Sequence, residues 1–130
     1  MGKNDSVIGA GNSQTPQNNI FSFSGNGHTV KVAVKNGAQK KVRSKNLTVI
    51  PNDTNEFKLV QILMNLEVQN NNNEDVTITV TLPAASTATK LAYVAGNIWK
   101  VIGSRAAGAN MITGTATSFP DDPVIGIGSV

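Results

Sequence analysis

From Val76 to Leu82 the chain alternates without a break, with Val76, Ile78, Val80 and Leu82 apolar and Thr77, Thr79 and Thr81 polar. Successive side chains of an extended strand point to opposite faces, so seven residues of period two specify a strand with one buried and one solvated face. Both rows are rich in β-branched residues, which suit a pleated surface. The same pattern runs through His28 to Lys35, with Val30, Val32 and Val34 on one side and Thr29, Lys31, Ala33 and Lys35 on the other. A chain written this way must also supply a cover for the apolar side of a sheet.

The connections are written mainly in asparagine, of which there are sixteen, four of them consecutive from Asn70 to Asn73. Asparagine tolerates left-handed backbone and favours turns. Ile20 to Ser24 is a brief alternating segment that stops at Gly25-Asn26-Gly27. Asn36-Gly37 is the dipeptide suited to a type I′ hairpin, which predicts a return strand from about Gln39 to Ile50. In that strand Lys41, Arg43 and Lys45 leave one face. Phe57 to Gln69 admits a helix, but Val60, Ile62, Met64, Leu66 and Val68 form a period-two row and favour a strand. After Pro83, Ser86 or Thr87 can cap a helix whose apolar side is Leu91, Val94, Ala95, Ile98, Val101 and Ile102, with Gly103 to stop it.

These elements make one domain over 1–130 with an α+β expectation, an antiparallel meander sheet followed by a C-terminal amphipathic helix. Residues 1–19 read as an N-terminal arm or short edge strand, 20–83 as the sheet, 84–104 as the helix and 105–130 as a C-terminal segment. In the last of these, Phe119 to Gly128 reads as either a short helical turn or an ordered tail.

Composition narrows function. With no cysteine, one histidine and eight carboxylates in 130 residues, disulfide and thiol chemistry are excluded and acid–base catalysis has few materials, so no enzyme is expected. His28 lacks partners at ligand spacing, so neither a metal nor a cofactor is expected, and it reads as an exposed residue at a strand end. Asp121-Asp122, between two prolines, reads as a turn. Neither glycine cluster near the N-terminus has the lysine and following helix of a phosphate loop. No apolar run approaches the ~20 residues of a membrane span, so no membrane partner is expected. The net charge is +3, yet no acidic residue falls between Asp5 and Asp53, where Lys31, Lys35, Lys40, Lys41, Arg43 and Lys45 lie. Such a run is either a solvated face or a polyanion-binding one.

A helix is about 10–12 Å wide, whereas five or six strands at 4.7–4.9 Å each span about 25 Å. One helix therefore covers the sheet poorly, and a second copy laying its own helix across predicts a two-fold dimer. The dimer helix would present Leu91, Val94, Ile98, Trp99 and Ile102. The opposite sheet face would carry Gln61, Asn65, Thr77, Thr79 and Thr81 with Lys31, Lys35, Lys41, Arg43 and Lys45.

This order of elements, a meander with Lys41, Arg43 and Lys45, the strand to Gln69, a polar loop, the strand Val76 to Leu82 and the helix to Gly103, resembles the coat proteins of single-stranded RNA bacteriophages. The resemblance covers residues 28–103 and implies a homodimer that assembles into an icosahedral virion in the host bacterial cytoplasm. Viral genomic RNA would lie against the cations, amides and threonines just named, and no small-molecule substrate is implied. The loop Asn70, Asn71, Asn72, Asn73, Glu74 and Asp75 would correspond to the family's assembly loop around symmetry axes. Two departures are visible: Thr77, Thr79 and Thr81 stand where an aromatic would stack on an unpaired base, and the C-terminal segment lacks a second helix. The alternatives are a phage decoration or tail structural protein without RNA binding, and a small β-rich nucleic-acid module, disfavoured because aromatics are not interleaved with the lysines.

Overall fold

A computed structural model describes residues 2–121 and 123–130, which leaves Asp122 of the aspartate pair outside the described residues. Its strands in chain order are β1 (Ser13–Gln14), β2 (Ile20–Gly25), β3 (His28–Val34), β4 (Lys41–Lys45), β5 (Lys58–Gln69), β6 (Val76–Thr81), β7 (Lys90–Ala95), β8 (Ile98–Ser104), β9 (Met111–Ala116) and β10 (Val124–Ser129). They form two antiparallel sheets, a large one in the order β1-β4-β5-β10-β7-β8 and a small one in the order β2-β3-β6-β9. The only helical element among the described residues is the 3₁₀ turn Gly37–Gln39.

The small sheet obeys its alternation. Phe21, Phe23, Val30, Val32, Val34, Val76, Ile78, Val80, Ile112 and Ala116 point inward and are buried. They meet Leu63, Met64, Leu66, Val68, Leu91, Tyr93, Ile125 and Ile127 of the large sheet in one core. Each fully enclosed side chain of this size contributes about 1.5–3 kcal/mol of apolar transfer free energy. One side of the sandwich is closed by backbone approach. A Cβ on Gly103 of β8 would lie 2.4 Å from the Thr113 carbonyl oxygen of β9, and one on Gly114 would lie 2.5 Å from that of Ile102.

The expected helix over 84–104, and with it the α+β class, is overturned: this stretch is the hairpin β7–β8, turning at Gly96 (φ 59°) and Asn97 (φ 64°). Val94, Ile98, Val101 and Ile102 happen to recur at helical intervals, but β-branched and aromatic residues crowd the segment, and Gly-Asn is a hairpin signal. The residues assigned to one helix face separate accordingly. Leu91 and Ile102 belong to the inner core, Val94 and Trp99 to the outer side of the large sheet, and Ile98 is 60% exposed beside the turn. The cover that the sequence reading assigned to a second copy is the other sheet of the same chain.

Three further expectations are corrected. Asn36 is left-handed (φ 54°), but β3 and β4 lie in different sheets, so the Asn36-Gly37 turn carries the chain across the sandwich. Gly37 is held there by its N–H, which donates to Asn19 Oδ1 at 2.8 Å. The tight hairpin is instead Asn26-Gly27, between β2 and β3. The unbroken row along β5 is interrupted by register shifts against β10, which turn Ile62 outward while Leu63 and Met64 both join the inner core. His28 is buried, and its Nδ1 donates to the Asn26 carbonyl at 2.9 Å.

Outer residues of the large sheet build a second, thinner core. Phe57, Leu59, Ile62, Ala92, Trp99 and Val124 pack there with Leu47 and Ile50 from the segment 46–57, which straps across the sheet. Trp99 Nε1 donates to the Pro51 carbonyl at 3.2 Å, and the Phe57 and Trp99 rings lie 5.0 Å apart. Their room comes from β10. A Cβ on Gly126 would approach Trp99 Cη2 to 2.9 Å, and one on Gly128 would approach the Phe57 ring to 2.7 Å.

Candidate functional site

The cations expected on one face are divided between two. Lys31 projects from the outer face of the small sheet, in register with Ser22 and Thr79. Lys35 is exposed just past the end of β3. Lys41, Arg43 and Lys45 lie on the outer side of β4, across the thickness of the molecule. The separation follows from the crossing at Asn36, which a hairpin there would have prevented.

On β4 the charges are largely answered locally. The register sets Arg43 opposite Glu67, and Arg43 Nε donates to Glu67 Oε1 at 2.5 Å while Lys45 Nζ reaches Glu67 Oε2 at 3.4 Å. Gln69 Nε2 adds a third donor at 3.2 Å. Burial works against ionisation of Glu67, but the hydrogen bonds and positive charge of Arg43 and Lys45 outweigh it and hold the carboxyl below its ordinary pKa.

The two amides assigned to an RNA face are occupied in holding backbone. Gln61 Nε2 donates to the carbonyls of Gly2 (3.2 Å) and Asp5 (2.6 Å), fixing the N-terminal segment whose Val7 and Ile8 enter the inner core. Asn65 Nδ2 donates to the Asn46 carbonyl at 2.7 Å where the strap begins, and its buried Oδ1 has no hydrogen-bond partner among the described residues.

Thr77, Thr79 and Thr81 do share a face with Lys31, and β9 adds Thr113 and Thr115. Thr77 and Thr115 hydroxyls meet at 2.9 Å, and those of Thr79 and Thr113 at 3.1 Å. With Ser22, Ser24 and Thr29 they make a hydroxyl-lined surface whose strands carry Lys31 as their only outward charge. The β9 members escape the sequence reading, although Thr113 and Thr115 alternate with Ile112, Gly114 and Ala116 as a strand requires.

The loop from Asn70 to Asp75 is tied down rather than free. Asn70, Asn72 and Asn73 are left-handed and exposed at its tip, while Asn71 is buried and Asp75 Oδ1 accepts from the Ser118 N–H at 3.2 Å. Beneath it lies Lys40, whose side chain is only 3% exposed. Lys40 Nζ donates to Asn71 Oδ1 at 3.1 Å and to Glu74 Oε1 at 3.0 Å, and Asn71 Nδ2 donates to the Glu74 backbone carbonyl at 3.0 Å. This cluster was missed as a site. Its signal is the inward row Lys40, Val42 and Ser44, which buries an ammonium and so demands polar partners.

A trough of about 850 Å³ runs beside β1 and β4, lined in part by Gln14, Pro16, Lys41 and the paired Arg43 and Lys45. Among the described residues no three His, Asp or Glu side chains gather as metal ligands would. No family model, curated protein or solved structure matches the chain.

Proposed function

We propose that this chain is a non-catalytic structural module, a rigid β-sandwich that contributes a surface to a larger assembly as a virion decoration or tail protein does, without packaging RNA. The observation that carries this reading is where the polar groups go. Arg43, Lys45, Gln61 and Asn65, all assigned to nucleic acid on sequence grounds, are spent on Glu67 and on backbone carbonyls. Phosphate contacts supply most non-specific nucleic-acid affinity, and cations split between opposite faces cannot track one backbone. The hydroxyl face of β2, β3, β6 and β9 suits a subunit contact instead, because protein interfaces are depleted in charge at their centres.

Expression of the full chain, followed by electron microscopy and an ultraviolet absorbance ratio, tests the reading. Material free of nucleic acid is expected, with no change when Lys41, Arg43 and Lys45 are replaced by Gln. Uniform shells that contain RNA, and lose it when Lys31, Lys35 and Lys41 become Gln, overturn it in favour of a coat protein.

A further inference from the structure

We propose that Lys40 and Asn71 become joined by an intramolecular isopeptide bond, formed autocatalytically with Glu74 as the proton-transferring residue. This goes beyond the structural role above and does not rest on it. Three groups that chemistry of this kind requires meet in one place: an amine, a carboxamide and a carboxylate. Lys40 Nζ lies 3.1 Å from Asn71 Oδ1, so it is at most one carbonyl bond farther from the Cγ it would attack. The same Nζ lies 3.0 Å from Glu74 Oε1. Lys40 and Asn71 are both buried, whereas the Glu74 side chain is 29% exposed and opens the cluster to solvent on one side.

The step balances without an outside reagent. Glu74 takes a proton from the Lys40 ammonium, and the freed amine lone pair adds to Asn71 Cγ, giving a tetrahedral centre. Collapse of that centre breaks the Cγ–Nδ2 bond, with Glu74 returning its proton to the departing nitrogen. Lysine ammonium plus carboxamide thus yields a secondary amide and ammonia, which leaves with the remaining proton as ammonium. Nothing is oxidised or reduced. The Asn71 amide is pre-oriented, since its Nδ2 donates to the Glu74 carbonyl at 3.0 Å, and Lys40 N–H to the Gly37 carbonyl (3.1 Å) fixes the other partner's backbone. Holding amine and carbonyl in this geometry replaces a bimolecular encounter with an intramolecular one, the main advantage a protein can give so slow a reaction.

The position also makes sense of the bond. Lys40 leads into β4 of the large sheet, and the Asn71 loop leads from β5 of that sheet to β6 of the other, so the link would staple the crossing between sheets in a chain that has no cysteine.

Intact mass spectrometry of the purified, folded chain is expected to show a mass lower by one ammonia. Tryptic digestion should then give a branched peptide in which Lys40 resists cleavage. Lys40→Arg and Asn71→Ala should restore the full mass. Glu74→Gln, verified as folded by circular dichroism, should slow formation by about 10²–10⁴-fold, the usual share of a positioned acid–base group. A folded wild-type chain that keeps its full mass after prolonged incubation overturns the proposal. So does a deficit that mild alkali removes, because that marks a succinimide at an asparagine rather than an isopeptide.

Discussion

The small sheet is buried on one face, and the middle of the large sheet is buried on both. In the small sheet every strand alternates strictly, and its outer face carries mostly hydroxyls, with Lys31 and, toward the ends of the strands, Ile20, Ala33 and Met111. In the large sheet β5, β7 and β8 put apolar residues on both sides, so they need the inner core and also the strap over 46–57. A one-faced sheet can be written by periodicity alone. A two-faced sheet needs bulges, bare glycines and a segment that comes from elsewhere in the chain, and those devices make its outer core the less redundant of the two.

The largest test of that contrast is Phe21→Ala, which empties a fully buried site between the sheets. It is expected to cost about 3–5 kcal/mol, read as a lower denaturation midpoint with an unchanged slope. Trp99→Ala should cost about 3 kcal/mol, at the low end of the same range, because a single strap covers the cavity. Its distinguishing sign is local. Without the Phe57 contact and the bond to Pro51, protease should cut within 46–57 under native conditions, which Phe21→Ala should not provoke. Equal cutting in both variants would mean that the two cores open together.

Smaller effects sharpen the edges of the comparison. Glu67→Gln should lose less than about 1 kcal/mol at neutral pH, as expected for a partly exposed ion-pair cluster. Since the folded carboxyl is held below its ordinary pKa, its stabilisation is complete above that ordinary value and is lost as pH falls through the folded one. Thermal melts across acid pH should therefore show a shallower decline in the variant, and identical declines would remove Glu67 from the account. Thr79→Val on the hydroxyl face should move stability by no more than about 0.5 kcal/mol in calorimetry. A larger loss would give the Thr79–Thr113 contact a structural weight the one-faced sheet does not need.

Legibility in the sequence follows the same division. The strands of the small sheet from His28 and Val76 could be read directly, because nothing but alternation decides them. Asparagine as turn material was legible too, and eight of the nine non-glycine residues with positive φ among those described are asparagines. What could not be read was partnership between distant segments. Asn36-Gly37 marks a reversal without saying which sheet follows it, and the spacing of Leu91, Val94, Ile98 and Ile102 satisfies a helix as well as a bulged hairpin. For the candidate site, Glu67 beneath Arg43 and Lys45 depends on a cross-strand register that lies 24 and 22 residues away in the chain. A stripe of cations in one strand is therefore no measure of free charge.

The place of β10 carries a consequence in time. It lies between β5 and β7, which reach one another only through it, although residues 124–129 are translated after every other strand described. During synthesis the large sheet must wait as two separate halves, with β1-β4-β5 on one side and β7-β8 on the other, each exposing an unsatisfied edge. Unpaired edges of this kind invite association with other chains. The arrival of this six-residue strand thus joins the two halves and covers both exposed edges at once.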